Sequence, residues 1–368
     1  MRKSIKGRLA AMLLSAAMFT GLMSLTACDG EPEGGGTTTP AVSQTTPNTS
    51  SDGGAEPNEP TDPFEGLTGE VNVYMPSPPA LADALAAGFE DKTGVKVNVY
   101  QGTTGEILAR LEAEAANPIA DVVILASWSD GLALREEGGL LSYTPRGADK
   151  MHSAWVCSRG ELFGMSASAV GVLYNTTLIP ELSADWHELA EAQFKDMTVF
   201  PDPERSGSAK DFLAGHADVH GDASLAIWKA LAENGMTVPG ANGPSMNAVV
   251  TGERAILVAG VDWNAYTNIA SGEPLAFYYP AGGTVINPRP AMILETSKND
   301  DNAKAFMDYL LTDEAQQLIA EAYLLPGRSD FTTTFRPNVS EMNVLDVNWD
   351  AMMENATSVA QAFNELIS

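Results

Sequence analysis

Cysteine is scarce in this chain: 368 residues contain two, Cys28 and Cys157. Once Cys28 is spent as described below, Cys157 has no partner and no intramolecular disulfide can form. Cys157, in SAWVCSRG, therefore reads as a buried apolar filler. Basic residues are also few. Lys and Arg total 21 against 48 Asp and Glu, a net charge of −27. A surface so acidic argues against nucleic acid or an anionic membrane face as partner. It leaves room for a small anionic ligand, because a local site can oppose the global field. Histidine is nearly missing, with four in all. His216 and His220 form an i, i+4 pair in HADVH, but no Glu follows the first and no third ligand is evident beyond Asp218. No metal site is assigned, and a solvated pair at a helix end is expected. No Ser-His-Asp context, complete ligand set or carboxylate pair marks an enzyme or a bound cofactor. No internal repeat occurs.

What is present begins with a basic stretch, MRKSIKGR, and an apolar run, LAAMLLSAAMFTGLMSL. Together they read as a secretory signal rather than a membrane span. LTAC, Leu25 to Cys28, resembles a bacterial lipoprotein signal, which implies cleavage before Cys28 and lipid on its sulfur. Removing the signal's four basic residues takes the net charge to −31. Residues 28–66 are Gly, Thr, Pro, Ser and Asn with no Lys or Arg, so they read as a disordered tether. The expected location is the outer face of a cell membrane, lipid-anchored, on a Gram-positive-type surface or in a periplasm.

The remaining roughly 300 residues suffice for two domains. GEVNVYMP alternates as a strand, and PALADALAAGFEDKTG places Leu81, Leu85 and Phe89 at helical spacing before stopping at Gly94. VKVNVYQG is a second strand. TTGEILARLEAEAANP is a helix with a capping box from Thr103 to Glu106. ADVVILAS is a continuous apolar run, as in a buried parallel strand. This β-α-β-α-β order predicts an open α/β sheet with crossover helices. Further on, LFGMSASAVGVLYNTTLI reads as two strand-like runs and ADWHELAEAQFKD as a helix. MTVFPDP is a strand leading into ERSGSAKDFLA. There Ser206 or Ser208 can cap a helix, and Ser208 with Asp211 resembles a second capping box. PLAFYYPAGGTVINPRPAMIL is strand–turn–strand, and the tail is helical from Trp349.

These strings carry a resemblance. VNVYMPSPPALADALAAGFEDKTGVKVNVYQGTTGEILARLEAEAANPIADVVI resembles the first lobe of extracellular solute-binding proteins of ABC importers, in the ferric-iron, phosphonate and organophosphate branch. FPDPERSGSAKDFLA with NGPSMNAVVTGERAI resembles the second lobe. NAKAFMDYLLTDEAQQ with YLLPGRSD resembles the return to the first. The resemblance covers about Gly69 to Asp330. It implies a two-lobed α/β fold, each lobe an open, mainly parallel sheet flanked by helices, with a ligand cleft at the hinge. The implied boundaries are 67–168 and 280–368 for lobe 1 and 169–279 for lobe 2, with crossings near Met165–Tyr174 and Tyr278–Val285. The implied role is capture and delivery without chemistry, by a monomer working with a permease and an ATPase.

Iron-binding members commonly use His or Glu from one lobe and adjacent Tyr from the other. This chain has Ser77 after the first strand and Val261, Asp262, Trp263 and then Tyr266 where a Tyr pair would stand. Tyr278 and Tyr279 fall one strand later, where a structural role is expected. The expected ligand contacts are therefore Ser77, Thr103, Thr104, Ser127, Trp128, Arg205, Ser206, Gly207, Ser208, Asp262, Trp263 and Tyr266. All lie at strand C-termini or helix N-termini, where open α/β sheets place ligands. Two helix starts with hydroxyls and Gly suit a phosphate or phosphonate. Asp262 is expected to hold an amine or a sugar hydroxyl, and Trp263 or Trp128 to stack on an organic body. A phosphonate or organophosphate is the preferred solute. Ferric iron with a synergistic anion is the alternative, followed by a thiamine-like cation. A secreted hydrolase, or a sensor without a permease, remains as a reading from another class.

Overall fold

The computed structural model describes residues 62–367. The signal, Cys28 and most of the polar leader lie outside the described residues.

The first half is built as the alternation requires. β1 (Glu70–Met75) leads into α1 (Pro79–Thr93), which carries a proline in its first turn and closes on Gly94 at φ 74°. That left-handed residue donates its N–H to the Glu90 carbonyl, a conformation glycine adopts without strain. β2 (Lys96–Gln101) pairs parallel with β1, and β3 (Val122–Ile124) pairs parallel on β1's other side. α2 (Thr104–Glu114) lies between them and has the expected capping box, with Thr103 and Glu106 bonding reciprocally. α3 (Trp128–Glu137) and the short β4 (Leu140–Leu141) follow.

β5 (Phe163–Asn175) is one strand of 13 residues, all buried, where the sequence pattern suggests two runs. Register shifts between Gly164 and Ser166, and between Gly171 and Leu173, bend it without ending it. Its first part pairs with β9 (Ile286–Leu294) and β10 (Leu325–Pro326). Its second part pairs with β7 (Ile256–Val261) and β8 (Leu275–Tyr278). β5 is thus shared by both halves. The second half adds β6 (Thr198–Val199), α4 (Gly207–His220), α5 (Asp222–Glu233), α6 (Asn242–Val250) and α7 (Asp262–Ala270). α8 (Asp300–Leu310), α9 (Asp313–Glu321) and α10 (Trp349–Ile367) complete the chain. The main path of the sheet runs β2-β1-β3-β9-β5-β7-β6.

Two expectations fail. ADWHELAEAQFKD forms only single 3-10 turns at Glu188–Ala190 and Ala192–Phe194. The buried Trp186 donates its indole N–H to the Gly283 carbonyl, and Asp185 accepts from the Gly282 amide. These tertiary bonds hold the segment against the 282–283 turn in place of a continuous helix. The second concerns the C-terminus, expected with lobe 1 as part of 280–368. α10 packs chiefly on α4, with further contacts to α3 and α5. Met352, Ala356 and Phe363 are buried in the same core as Trp186, Phe200, Phe212 and Trp228. An amphipathic helix goes where its apolar stripe finds cover, and here that cover is the second half.

The Phe363 ring lies 4.6 Å from that of Phe200, and the residue is 1% exposed. Phe363→Ala is expected to cost about 3–5 kcal/mol of unfolding free energy. Denaturant titration followed by tryptophan fluorescence measures it; a loss below about 1 kcal/mol would mean that α10 is not part of the second core.

Candidate functional site

A cavity of about 340 Å³ opens where the two halves meet. The first half contributes the turn after β1 and the start of α2. The second half contributes the loop into α4 and the start of α6, with β7 and β9 behind. Strand ends and helix starts converge there, as the fold class predicts.

Of the expected residues, eight line this cavity: Ser77, Thr103, Thr104, Arg205, Ser206, Gly207, Ser208 and Trp263. Ser77 is buried and its hydroxyl has no hydrogen-bond partner. Thr103 serves the capping box of α2, while Thr104 Oγ1 accepts from the Ala126 amide at 3.1 Å. Ser206 is the N-cap of α4. Its hydroxyl accepts from the Ala209 amide at 3.3 Å and donates to Asn242 Oδ1 at 2.9 Å. The Asn242 amide in turn reaches Ser208 Oγ. The capping box expected from Ser208 to Asp211 does not form, because Ser206 takes the cap and Asp211 points elsewhere.

The other four expected residues do not line the cavity. Asp262 is fully buried and committed: it accepts from the Ala169 amide at 2.8 Å and from the Tyr279 hydroxyl at 3.1 Å. It also pairs with Arg336 at 2.5 Å. The carboxylate expected to need a ligand has its partners within the chain. Tyr266 belongs to the same cluster, with its ring against Phe277, Tyr323 and the Arg336 guanidinium. Burial, with Asp262 next in effect, pushes the Tyr279 phenol far above its ordinary range. Burial acts to lower the Arg336 guanidinium, but Asp262 and Tyr279 outweigh it and hold it above its usual value. Trp128 is buried beside Trp349 in the α2–α3 core, so its indole cannot stack on a cavity ligand.

Ser127 is buried behind the cavity, where it binds Asp211 of α4 across the meeting of the halves. The Asp211 carboxylate accepts from Ser127 Oγ at 2.9 Å, from the Trp128 amide at 2.8 Å and from Ser129 Oγ. It therefore caps the N-terminus of α3 from the opposite half. Lys210 pairs with Asp130 beside it. Gly207 permits the approach: a Cβ there would stand 2.8 Å from Ser127 Cβ and 3.0 Å from Thr104 Oγ1. Gly105 does the same on the facing side, 3.1 Å from the Glu204 carbonyl.

The residue that sequence reasoning missed is Arg289, on β9. It lines the cavity, is 1% exposed, and donates from its Nη2 to the Pro76 carbonyl at 2.7 Å. Its Nε has no partner, and among the described residues it forms no salt bridge. Burial pushes this guanidinium down to about 10, partly offset by the charge of Asp262, so it stays cationic at neutral pH. Asn287, two residues earlier on the same strand, leaves both side-chain polar atoms unpaired, as does the hydroxyl of Ser168 opposite it. The signal was present as an Arg within the buried strand segment INPRPAMIL.

The His216–His220 pair lies away from the cavity. His216 Nδ1 is 2.8 Å from Ser224 Oγ, and burial, with His220 beside it, pushes the imidazole down to about 4. Among the described residues no group of three His, Cys, Asp or Glu is placed to hold a metal.

An α/β fold of two halves sharing long strands, with a polar cavity at their meeting, defines a two-lobed ligand-binding protein. The chain belongs to the bacterial extracellular solute-binding protein family, whose model matches residues 84–341. It is 25% identical over 285 residues to iron uptake protein A1 of Synechocystis sp., covering 73% of this chain and 78% of that one. It is 26% identical over 256 residues to a putative 2-aminoethylphosphonate-binding periplasmic protein of Salmonella typhi, covering 66% and 73%. Among solved structures, the periplasmic binding protein AfuA of Actinobacillus pleuropneumoniae, with fructose-6-phosphate bound, superposes with a TM-score of 0.75. That pair shares 20% identity over 81% of this chain and 98% of the other. The protein is thus a substrate-binding protein of ABC import type, and its relatives are extracellular or periplasmic solute-binding transport proteins rather than enzymes.

Burial, with the negative charge of Asp130 next and opposed by the serine hydroxyls and Lys210, pushes the Asp211 carboxyl up to about 6. The folded state then takes up a proton more readily than the unfolded chain between about pH 4 and pH 6. That contribution stabilises the fold at low pH and is lost as pH rises through about 6. Asp211→Asn removes it. The unfolding free energy of the variant relative to wild type is expected to rise between pH 4 and pH 7 and then level off. Denaturation at a series of pH values measures this, and a flat difference refutes it.

Proposed function

We propose that this protein captures a small phosphonate or organophosphate and presents it to a membrane permease powered by an ATPase. It would act as a monomer held at the outer membrane face by lipid on Cys28. The observation that carries the anion reading is the Arg289 guanidinium, buried at the cavity with an unpaired Nε and no carboxylate of its own. A buried charge without a partner is costly, and an incoming oxyanion relieves that cost while gaining charge-assisted hydrogen bonds. The start of α4 faces the same space through Gly207 and Ser208, and its free amides and dipole favour the same charge.

Ferric iron is disfavoured by the same feature. A fixed cation at the cavity repels a metal, and the lining contains neither Tyr nor His. Its one carboxylate, Glu106, accepts the Thr103 amide at 2.8 Å in the capping box. A thiamine-like cation meets the same objection, since Asp262, the carboxylate suited to it, is paired with Arg336.

Thermal-shift and calorimetric titration of the purified protein with inorganic phosphate, 2-aminoethylphosphonate, sugar phosphates, thiamine and ferric citrate tests the reading. Phosphorus oxyanions are expected to bind. Arg289→Met should weaken them at least tenfold, since a charge-assisted bond contributes about 1.5–3 kcal/mol. The ligand-free variant should be no less stable than wild type, because an unpaired buried cation has been removed. A coloured ferric complex with no response to any phosphate would refute the proposal. A separate expectation concerns Gly207→Val, whose branch collides with Ser127 and Thr104. It should weaken every ligand by holding the halves apart; unchanged affinity in calorimetry would show that their close approach is not needed.

A further inference from the structure

We infer that the solute carries a neutral, hydroxyl-rich body behind its anionic group: a sugar or polyol phosphate rather than an aminoalkyl phosphonate. The inference rests on the anion reading above and concerns the rest of the ligand.

A zwitterion needs a carboxylate for its ammonium group, and the carboxylates near the cavity are committed. Asp262 holds Arg336, Tyr279 and the Ala169 amide. Asp211 caps α3, and Asp130 pairs with Lys210. Glu106 stands exposed at the rim, bonded to the Thr103 amide and within the field of Arg205. The charge of the inner cavity is therefore that of Arg289, which one anionic group satisfies and an ammonium group opposes.

Beside its apolar residues, the lining carries groups that both donate and accept, Ser77 within and Gln101 at the exposed rim. Ser77 Oγ is buried and unpaired, and the Gln101 amide makes only a 3.5 Å contact with the Pro79 carbonyl. Hydroxyls match such groups because each can be donor or acceptor as geometry demands. Trp263, partly buried between the two main cores, supplies one apolar wall, against which the C–H face of a sugar ring can pack. Size agrees. About 340 Å³ falls in the range of organic-ligand sites, roughly 300–1,000 Å³, and is more than an inorganic oxyanion fills.

Calorimetry with glucose 6-phosphate, 2-aminoethylphosphonate and inorganic phosphate decides it. Glucose 6-phosphate is expected to bind at least tenfold tighter than inorganic phosphate, and 2-aminoethylphosphonate no tighter than inorganic phosphate. Trp263→Ala should weaken glucose 6-phosphate about tenfold and leave inorganic phosphate unchanged, so the inorganic anion reports that the variant is folded. The wild-type ranking stands without the variant if it misfolds. If 2-aminoethylphosphonate binds tighter than glucose 6-phosphate and still requires Arg289, the inference falls and the anion reading survives. If none of the three binds, both fall.

Discussion

Two buried arginines and one buried aspartate set the electrostatics at the centre of this protein. Arg289 and Arg336 are both nearly sealed from water, and Asp262 between the halves is fully so. Three such charges are costly to bury, and only two of them are paired. The carboxylate goes to Arg336 at 2.5 Å, with Tyr279 completing the cluster. Arg289 keeps one carbonyl bond and a surplus positive charge facing the cavity. In a chain of net charge −27 this is a local reversal of sign, and it lies where the fold brings helix starts together. Long-range field and local site thus oppose one another, so recognition depends on contact rather than on steering.

The second constraint is distance. Ligand contacts from two halves are useful only if the halves come close, and the sequence places Gly105 and Gly207 where backbones must nearly touch. Asp211 converts that approach into a specific alignment. It accepts from the Trp128 amide, an orphan donor at the start of α3, and from the Ser127 and Ser129 hydroxyls, all from a residue of α4. The start of α3 thus has a second acceptor across the divide besides its own cap on Ser127, while the start of α4 is capped by Ser206 and turns its next amides toward the cavity.

Much of this was legible beforehand. The alternation of GEVNVYMP and VKVNVYQG, the spacing of FEDKTG and the capping box at Thr103 specify local structure, and these elements form as expected. Eight of the twelve expected contacts line the cavity because strand ends and helix starts are local features too. The errors share one cause. Asp262, expected to hold an amine or a hydroxyl of the ligand, has its partner in Arg336, 74 positions away in a tail with no recognisable pattern. Trp128, expected to stack on a ligand, has polar neighbours, yet those serines turn toward Asp211 while the indole packs inward. Arg289 was overlooked because its strand reads as apolar. Long-range pairing of charges leaves no periodicity to read.

The segment after β10 contributes no residue to the cavity lining, and α10 packs on α4, α3 and α5. Yet Arg336 lies in that segment, reaching the Tyr323 carbonyl, Tyr279 and Asp262 from its single side chain. The field of Asp262 already acts on Arg289, where it partly offsets the effect of burial. With its first allegiance to Arg336, the carboxylate moderates the cavity arginine without neutralising it. Whether the cavity presents a cation or a closed ion pair is therefore decided by a residue that does not line it. The same partition removes the one carboxylate that could have welcomed an amine. The sign of the site and the neutrality it asks of the ligand's body follow from that single allocation.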